Sequence, residues 1–72
     1  MKKTFKLIDL DCANCAAKME RAIKKIDGVN DASVSFMAQR LTIDADDARF
    51  GEIMKEAARL CRKVEPDCTV VL

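Results

Sequence analysis

Residues 10–29 read LDCANCAAKMERAIKKIDGV and contain a helical pattern with a defined beginning and end. Within residues 14–26, apolar residues recur every three or four positions, which is the spacing of one helix face. They are Ala16, Met19, Ala22, Ile23 and Ile26. Gly28 is placed to end this helix in the left-handed conformation, and Lys24 and Lys25 suit the negative end of the dipole. We therefore predict a helix over residues 14–26.

Three segments around this helix alternate apolar and polar residues, as half-buried strands do. Residues 4–9 precede the helix and residues 31–37 follow it. After a short turn at residues 38–39, residues 41–43 continue the alternation. The second and third segments are therefore predicted to pair as a hairpin.

The rest of the chain indicates a second helix and a last strand. Asp46 or Asp47 can cap the helix. Its inward-facing residues are predicted to be Phe50, Ile53, Met54, Ala57 and Leu60. Residues 64–72 place alternate residues on one face, and Pro66 favours an edge strand because it has no amide hydrogen to donate.

The elements follow one another as strand, helix, strand, strand, helix, strand within 72 residues. A chain of this length supports one core, so residues 1–72 are predicted to form a single domain. Right-handed crossovers in both strand–helix–strand units predict the α+β class. The expected fold is a ferredoxin-like βαββαβ sandwich, with a four-stranded antiparallel sheet and two helices on one face.

The composition limits the chemistry and the partners of the chain. It contains four Cys and no His, and 13 Lys and Arg against 12 Asp and Glu give a net charge of +1. This balance gives no reason to expect nucleic acid as a partner. No apolar run approaches the roughly 18 residues of a membrane span, and the N-terminus lacks the apolar region of a signal peptide. We therefore expect a cytosolic chain with free thiols and no direct membrane insertion.

The junction of the first strand and the first helix reads Asp11-Cys12-Ala13-Asn14-Cys15. Two thiols at this CxxC spacing, with the second in the first helical turn, can both point at one ion. The positive end of the helix dipole favours their thiolate forms. The same spacing serves redox dithiols, zinc knuckles and iron–sulfur proteins, so the motif predicts a soft two-sulfur site and leaves its use open.

Nearly the whole chain resembles the heavy-metal-associated domain of copper chaperones and of the cytosolic N-terminal tails of heavy-metal P-type ATPases. The matching segments are LDCANCAAKME at 10–20, IKKI at 23–26, DGV at 27–29 and ASVSF at 32–36. The resemblance implies a metallochaperone-like fold that binds a metal ion through the two motif cysteines, here Cys12 and Cys15.

Two positions depart from the usual family pattern. Asp9-Leu10 stands where the family usually has Gly-Met, and Leu10 can provide the same packing under the loop. Cys61-Arg62 stands where the family commonly has Gly followed by Tyr or Phe.

Asp11 bears on the choice of metal. Two or three thiolates satisfy Cu(I), whereas Zn(II) and Cd(II) prefer about four ligands and accept oxygen. An Asp before the first motif Cys also resembles the zinc, cadmium and lead branch of these ATPases. We therefore expect Asp11, Cys12 and Cys15 to bind Zn(II) or Cd(II), with Pb(II) left open and Cu(I) ranked below them. Three ligands leave a coordination position open to water or to a partner's donor, as a delivery or sensing site requires.

The two remaining cysteines have structural and functional interpretations. Cys61 follows Ala57 by four residues and Met54 by seven, which favours packing in the core. The family resemblance instead places Cys61 in the loop that approaches the metal from below, as an auxiliary ligand. Cys68 alternates with Val70 and is predicted to be a core residue.

The resemblance implies the cytoplasmic N-terminal metal-binding domain of a cadmium- or zinc-exporting P-type ATPase, tethered to the membrane by that pump. Its partners would be the metal ion and the transmembrane and ATPase domains of the pump, and the chain itself would be no enzyme. A free-standing copper or zinc metallochaperone of the same fold is the alternative, and it predicts the same site. A metal-bridged dimer is also left open.

Two other protein classes fit the sequence less well. A thioredoxin-like enzyme needs about 100 residues and a Pro opposite its cysteines. An RNA-recognition module needs stacking aromatics on its central strands, and residues 40–44 contain none. The RNA-recognition module therefore does not fit these residues, whereas dithiol chemistry at the CxxC pair is left open.

Overall fold

The computed structural model describes residues 1–72 and contains four strands and two α-helices. The strands are β1 (Lys2–Ile8), β2 (Val29–Ser35), β3 (Arg40–Ala45) and β4 (Thr69–Val71). The helices are α1 (Ala13–Lys24) and α2 (Phe50–Val64), and a 3₁₀ turn at Asp47–Arg49 leads into α2. This order confirms the predicted βαββαβ arrangement.

The four strands form one antiparallel sheet in the order β2-β3-β1-β4. β1 lies in the middle, where Phe5 pairs with Leu41 of β3 and Leu7 pairs with Val70 of β4. Because side chains alternate along a strand, these pairs share the face that the helices cover. The chain leaves β1 at Ile8, at one end of the sheet, and enters α1 at Ala13.

The helices and the inner face of the sheet enclose one hydrophobic core of 16 buried residues. Met19 and Ile23 of α1 and Leu41 and Ile43 of β3 are fully buried in it. Met54 is also buried, which agrees with the apolar stripe predicted for the second helix. Neither helix has the length and apolar character that crossing a membrane requires.

The C-terminal segment differs from the strand predicted over residues 64–72. α2 continues through Val64, and β4 covers only Thr69–Val71. Glu65 has extended backbone angles (φ −135°, ψ 96°), because the ring of a following proline disfavours the helical conformation. Pro66 therefore ends α2 and lies in the turn before β4, although β4 is an edge strand as predicted.

The extra turn of α2 also changes which residue faces the core near its end. The sequence pattern predicts Leu60 on the inward face, but Leu60 is half-buried and Cys61 is fully buried. The buried stripe continues from Ala57 by a step of four residues, and this step reaches Cys61. Cys61 is therefore a helical core residue.

The residues predicted to cap α2 and to end α1 both lie outside the α-helices themselves. Asp46 accepts a hydrogen bond from the Ala48 N–H at 3.1 Å and caps the 3₁₀ turn, while α2 itself has no side-chain cap. Gly28 has a φ of 96°, but it lies in the turn before β2, since α1 ends at Lys24. The positive φ favours glycine at this turn, and α2 packs closely against it, since a Cβ at Gly28 would lie 3.0 Å from Ile53 Cδ1.

Candidate metal centre

Residues 9–12 connect β1 to α1 and carry the first half of the predicted site. Leu10 is buried in the core and anchors this loop, as the sequence predicts. Cys12 is the N-cap of α1, where its Sγ accepts a hydrogen bond from the Cys15 N–H at 3.4 Å. The Cys12 sulfur thus takes the place of the side-chain oxygen of a usual N-cap residue, and it lies directly over the first turn of the helix.

The two motif thiols have opposite pKa shifts. Hydrogen bonds from the Cys15 backbone N–H and side chain lower the pKa of Cys12. The pKa of Cys15 is raised to about 11, first by its hydrogen bond with the Cys12 side chain and then by desolvation and by the charges of Cys12 and Glu65. Cys12 is therefore the more readily ionised thiol of the pair. Both residues are half-buried, so this pair of soft donors remains accessible to an ion.

Glu65 belongs to the same site, although sequence analysis missed it. The Cys15 thiol donates a hydrogen bond to Glu65 Oε2 at 3.8 Å. The backbone of Glu65 is fixed, because its N–H donates to the Cys61 carbonyl at 2.9 Å and its carbonyl accepts from the Cys68 N–H at 3.0 Å. The end of α2 thus brings a carboxylate beside the CxxC pair. The only signal in the sequence is Pro66, which ends the helix at that point.

The structure brings Cys12 and Cys15 together but does not gather all the predicted ligands. It contains no group of three or more Cys, Asp, Glu or His side chains arranged to hold an ion. Asp11 is exposed at the loop surface and has no side-chain hydrogen bond or ion pair. Ligation by Asp11 therefore stays a prediction.

Cys61 and Cys68 lie in the core below the loop, where they are 0% and 1% exposed. Burial raises the pKa of Cys61 to about 12 and also raises the pKa of Cys68. A buried thiol that resists ionisation is a poor metal ligand, because the thiolate is the binding form. This position agrees with core packing for both residues, and a ligand role for Cys61 would require the end of α2 to move.

Asp9 has a φ of 62°, in the left-handed region that favours glycine. We expect Asp9→Gly to raise the free energy of unfolding by about 0.5–1 kcal/mol, since it removes this strain. Chemical denaturation would measure the change. Asp9→Ala is the control and should be less stable than the wild type, because alanine tolerates the left-handed region less well than aspartate. A less stable glycine variant would show that the Asp9 side chain holds the loop.

Comparison with known proteins places these features in a family. The family model of the heavy-metal-associated domain matches residues 4–65. The cadmium, zinc and cobalt-transporting ATPase of Bacillus subtilis (strain 168) is 34% identical over 70 residues, covering 97% of this chain and 10% of that protein. The zinc/cadmium/lead-transporting P-type ATPase of Escherichia coli (strain K12) is 42% identical over 43 residues, covering 60% of this chain and 6% of that protein. The chain thus spans a tenth or less of the length of these relatives.

The fold is also similar to that of solved metallochaperones. The CopZ metallochaperone superposes with a TM-score of 0.78 over 99% of this chain and 100% of that chain, at 20% sequence identity. At this identity the similarity concerns the fold, and it agrees with the predicted ferredoxin-like sandwich. The match of the family model over most of the sequence shows that the chain belongs to the heavy-metal-associated domain family.

Proposed function

We propose that this chain binds a soft divalent ion, Zn(II) or Cd(II), through Asp11, Cys12 and Cys15. The observation that carries the proposal is the pairing of the two half-buried thiols at the N-terminus of α1, with the Cys12 sulfur 3.4 Å from the Cys15 nitrogen. Backbone N–H groups and the helix dipole stabilise negative charge at Cys12, whose pKa is lowered by hydrogen bonds from Cys15, so this sulfur offers the ion its first thiolate.

The carboxylates around the thiols support a divalent ion. Glu65 lies 3.8 Å from the Cys15 sulfur, and Asp11 directly precedes Cys12 with no other partner for its side chain. Zn(II) and Cd(II) accept oxygen donors beside thiolates, whereas Cu(I) gains little from them. The net negative charge of these two groups also favours a 2+ ion over a 1+ ion.

The open position of the site supports delivery or sensing over structural storage. Cys12 and Cys15 are half-buried and Asp11 is exposed, so donors of a second protein can approach the ion. A closed four-ligand cage would hold zinc structurally instead. The relatives are named as transporting ATPases, and this chain covers a tenth or less of them. We therefore infer a cytoplasmic domain that passes the ion to a metal-exporting P-type ATPase or regulates that pump, whose other domains hydrolyse ATP.

Competition titration of the reduced chain against chromophoric chelators tests the ligand set and the metal preference together. We expect Asp11→Asn to weaken Zn(II) and Cd(II) binding by about ten-fold, because it replaces a charged carboxylate by a neutral amide, which is a weaker donor to a 2+ ion. Cu(I) affinity should stay within about two-fold, because two thiolates satisfy that ion.

Asp9→Asn is the matched control for this experiment. It removes a carboxylate from the same loop, and asparagine tolerates the left-handed backbone at position 9. We expect this variant to bind both divalent ions as the wild type does. A clear preference for Cu(I) that Asp11→Asn leaves unchanged, with no loss of Zn(II) binding, would contradict the divalent assignment.

A further inference from the structure

Gln39 connects the β2–β3 turn to the loop that carries Cys12. Its side-chain oxygen accepts a hydrogen bond from the Leu10 N–H at 3.0 Å, and its side-chain nitrogen donates to the Leu10 carbonyl at 2.8 Å. The same nitrogen donates to the Phe36 carbonyl at 2.8 Å, and the Gln39 carbonyl accepts from the Leu7 N–H at 2.8 Å. One residue thus binds both backbone polar groups of Leu10 and the end of β1.

These bonds matter because the backbone N–H and carbonyl of Leu10 are shielded from water and need partners within the protein. Only 2% of the residue is exposed, and a buried backbone group without a partner is costly. Asp9, directly before Leu10, is held at a φ of 62°, from which a free loop would relax. Asp11 is exposed, and its side chain makes no hydrogen bond or ion pair within the loop. Gln39 is therefore the side chain that fixes the loop before Cys12, while the Cys15 N–H fixes Cys12 from the helix side.

The backbone at Gln39 indicates that its side chain has a role. Its φ is 55°, in the left-handed region where glycine is the least strained residue. Only a primary amide of this length can accept from the Leu10 N–H and donate to two carbonyls at once. A carboxylate accepts but cannot donate, and it would face the two carbonyl oxygens.

We propose that Gln39 is a positioning residue for the metal site: it holds Leu10 so that Cys12 meets Cys15 in a geometry ready for the ion. This inference rests on the proposed function of the CxxC pair. Groups that orient metal ligands without touching the ion typically contribute about 10–100-fold to metal affinity. Fixing the loop in advance also removes the cost of ordering it when the ion binds.

Gln39→Gly and Gln39→Glu test this role on the reduced chain. Glycine suits the left-handed turn, so this variant should fold, yet it removes every side-chain bond to Leu10. Glutamate keeps the size and loses the two donated bonds. We expect both variants to bind Cd(II) about ten-fold more weakly than the wild type. Amide hydrogen exchange at Leu10 should be faster in metal-free Gln39→Gly, which has no acceptor for the Leu10 N–H.

Ser35→Ala is the matched control in the same turn. Ser35 Oγ accepts a hydrogen bond from the Ala38 N–H at 3.2 Å, and its side chain makes no hydrogen bond to Leu10. This variant should keep the wild-type Cd(II) affinity and the wild-type exchange rate at Leu10. Equal Cd(II) binding by the wild type, Gln39→Gly and Gln39→Glu would overturn the role of Gln39, as would unchanged protection of the Leu10 amide in Gln39→Gly. Failure of the wild type itself to bind Cd(II) would instead contradict the proposed function.

Discussion

Cys12→Ser combined with Cys15→Ser is expected to leave the fold intact and to weaken Cd(II) binding by about 100-fold or more. A serine hydroxyl is not ionised near neutral pH and is a hard donor, so it cannot replace a thiolate at a soft ion. Serine is also a favoured N-cap residue, so the hydroxyl at position 12 can preserve the start of α1. The ultraviolet absorption of the Cd(II)–thiolate bond and competition with a chromophoric chelator would measure the loss.

Cys61→Ala combined with Cys68→Ala is the matched control, because it also leaves two thiols in the chain. Both residues are buried, so the variant should lose roughly 1–2 kcal/mol of stability per site through the cavities created. Its Cd(II) affinity should stay within about two-fold of the wild type, since the CxxC pair is intact. Strong binding by the double serine variant would contradict the proposed site. Loss of binding by the alanine control would make a core thiol a ligand.

The sequence pattern predicted the fold wherever hydrophobic periodicity is clear. The stripe containing Met19 and Ile23 and the alternation through Leu41 and Ile43 gave the helix, the hairpin and most of the core. The start of the last strand was predicted wrongly, because apolar and polar residues alternate from residue 64 onward as they would in a strand, although β4 begins only at Thr69. There the backbone restriction before Pro66 decides the structure, and it lets α2 run up to Val64.

The site was only partly predictable, because some of its contacts join residues far apart in the sequence. Cys12 and Cys15 are recognisable from their spacing alone. Glu65 lies 50 residues from Cys15, and Gln39 lies 29 residues from Leu10, so no local pattern reveals either contact. Both contacts depend on where α2 ends and on how the β2–β3 turn folds back, which are properties of the tertiary structure.

A fall from about pH 8 to about pH 6 is expected to weaken Cd(II) binding by about 100-fold or more. The ion binds thiolates, but the pKa of Cys15 is raised to about 11 by its hydrogen bond with Cys12, by desolvation and by Glu65. Cys15 is therefore a thiol in the free chain across this range, and binding must release its proton. Each released proton makes the affinity fall about ten-fold per pH unit as the solution becomes more acidic.

Protonation of Cys12 makes the Cd(II) affinity depend more steeply on pH as the solution becomes more acidic. Its pKa is lowered, so Cys12 releases a proton on binding only once the pH has fallen below that value. Competition titrations at several pH values should therefore give a slope of between about one and two protons per ion, rising towards two as the pH falls. The variant with Cys61→Ala and Cys68→Ala should give the same slope, because its CxxC pair is unchanged. A slope near zero would show binding through carboxylates alone, since Asp and Glu side chains are already ionised above about pH 6.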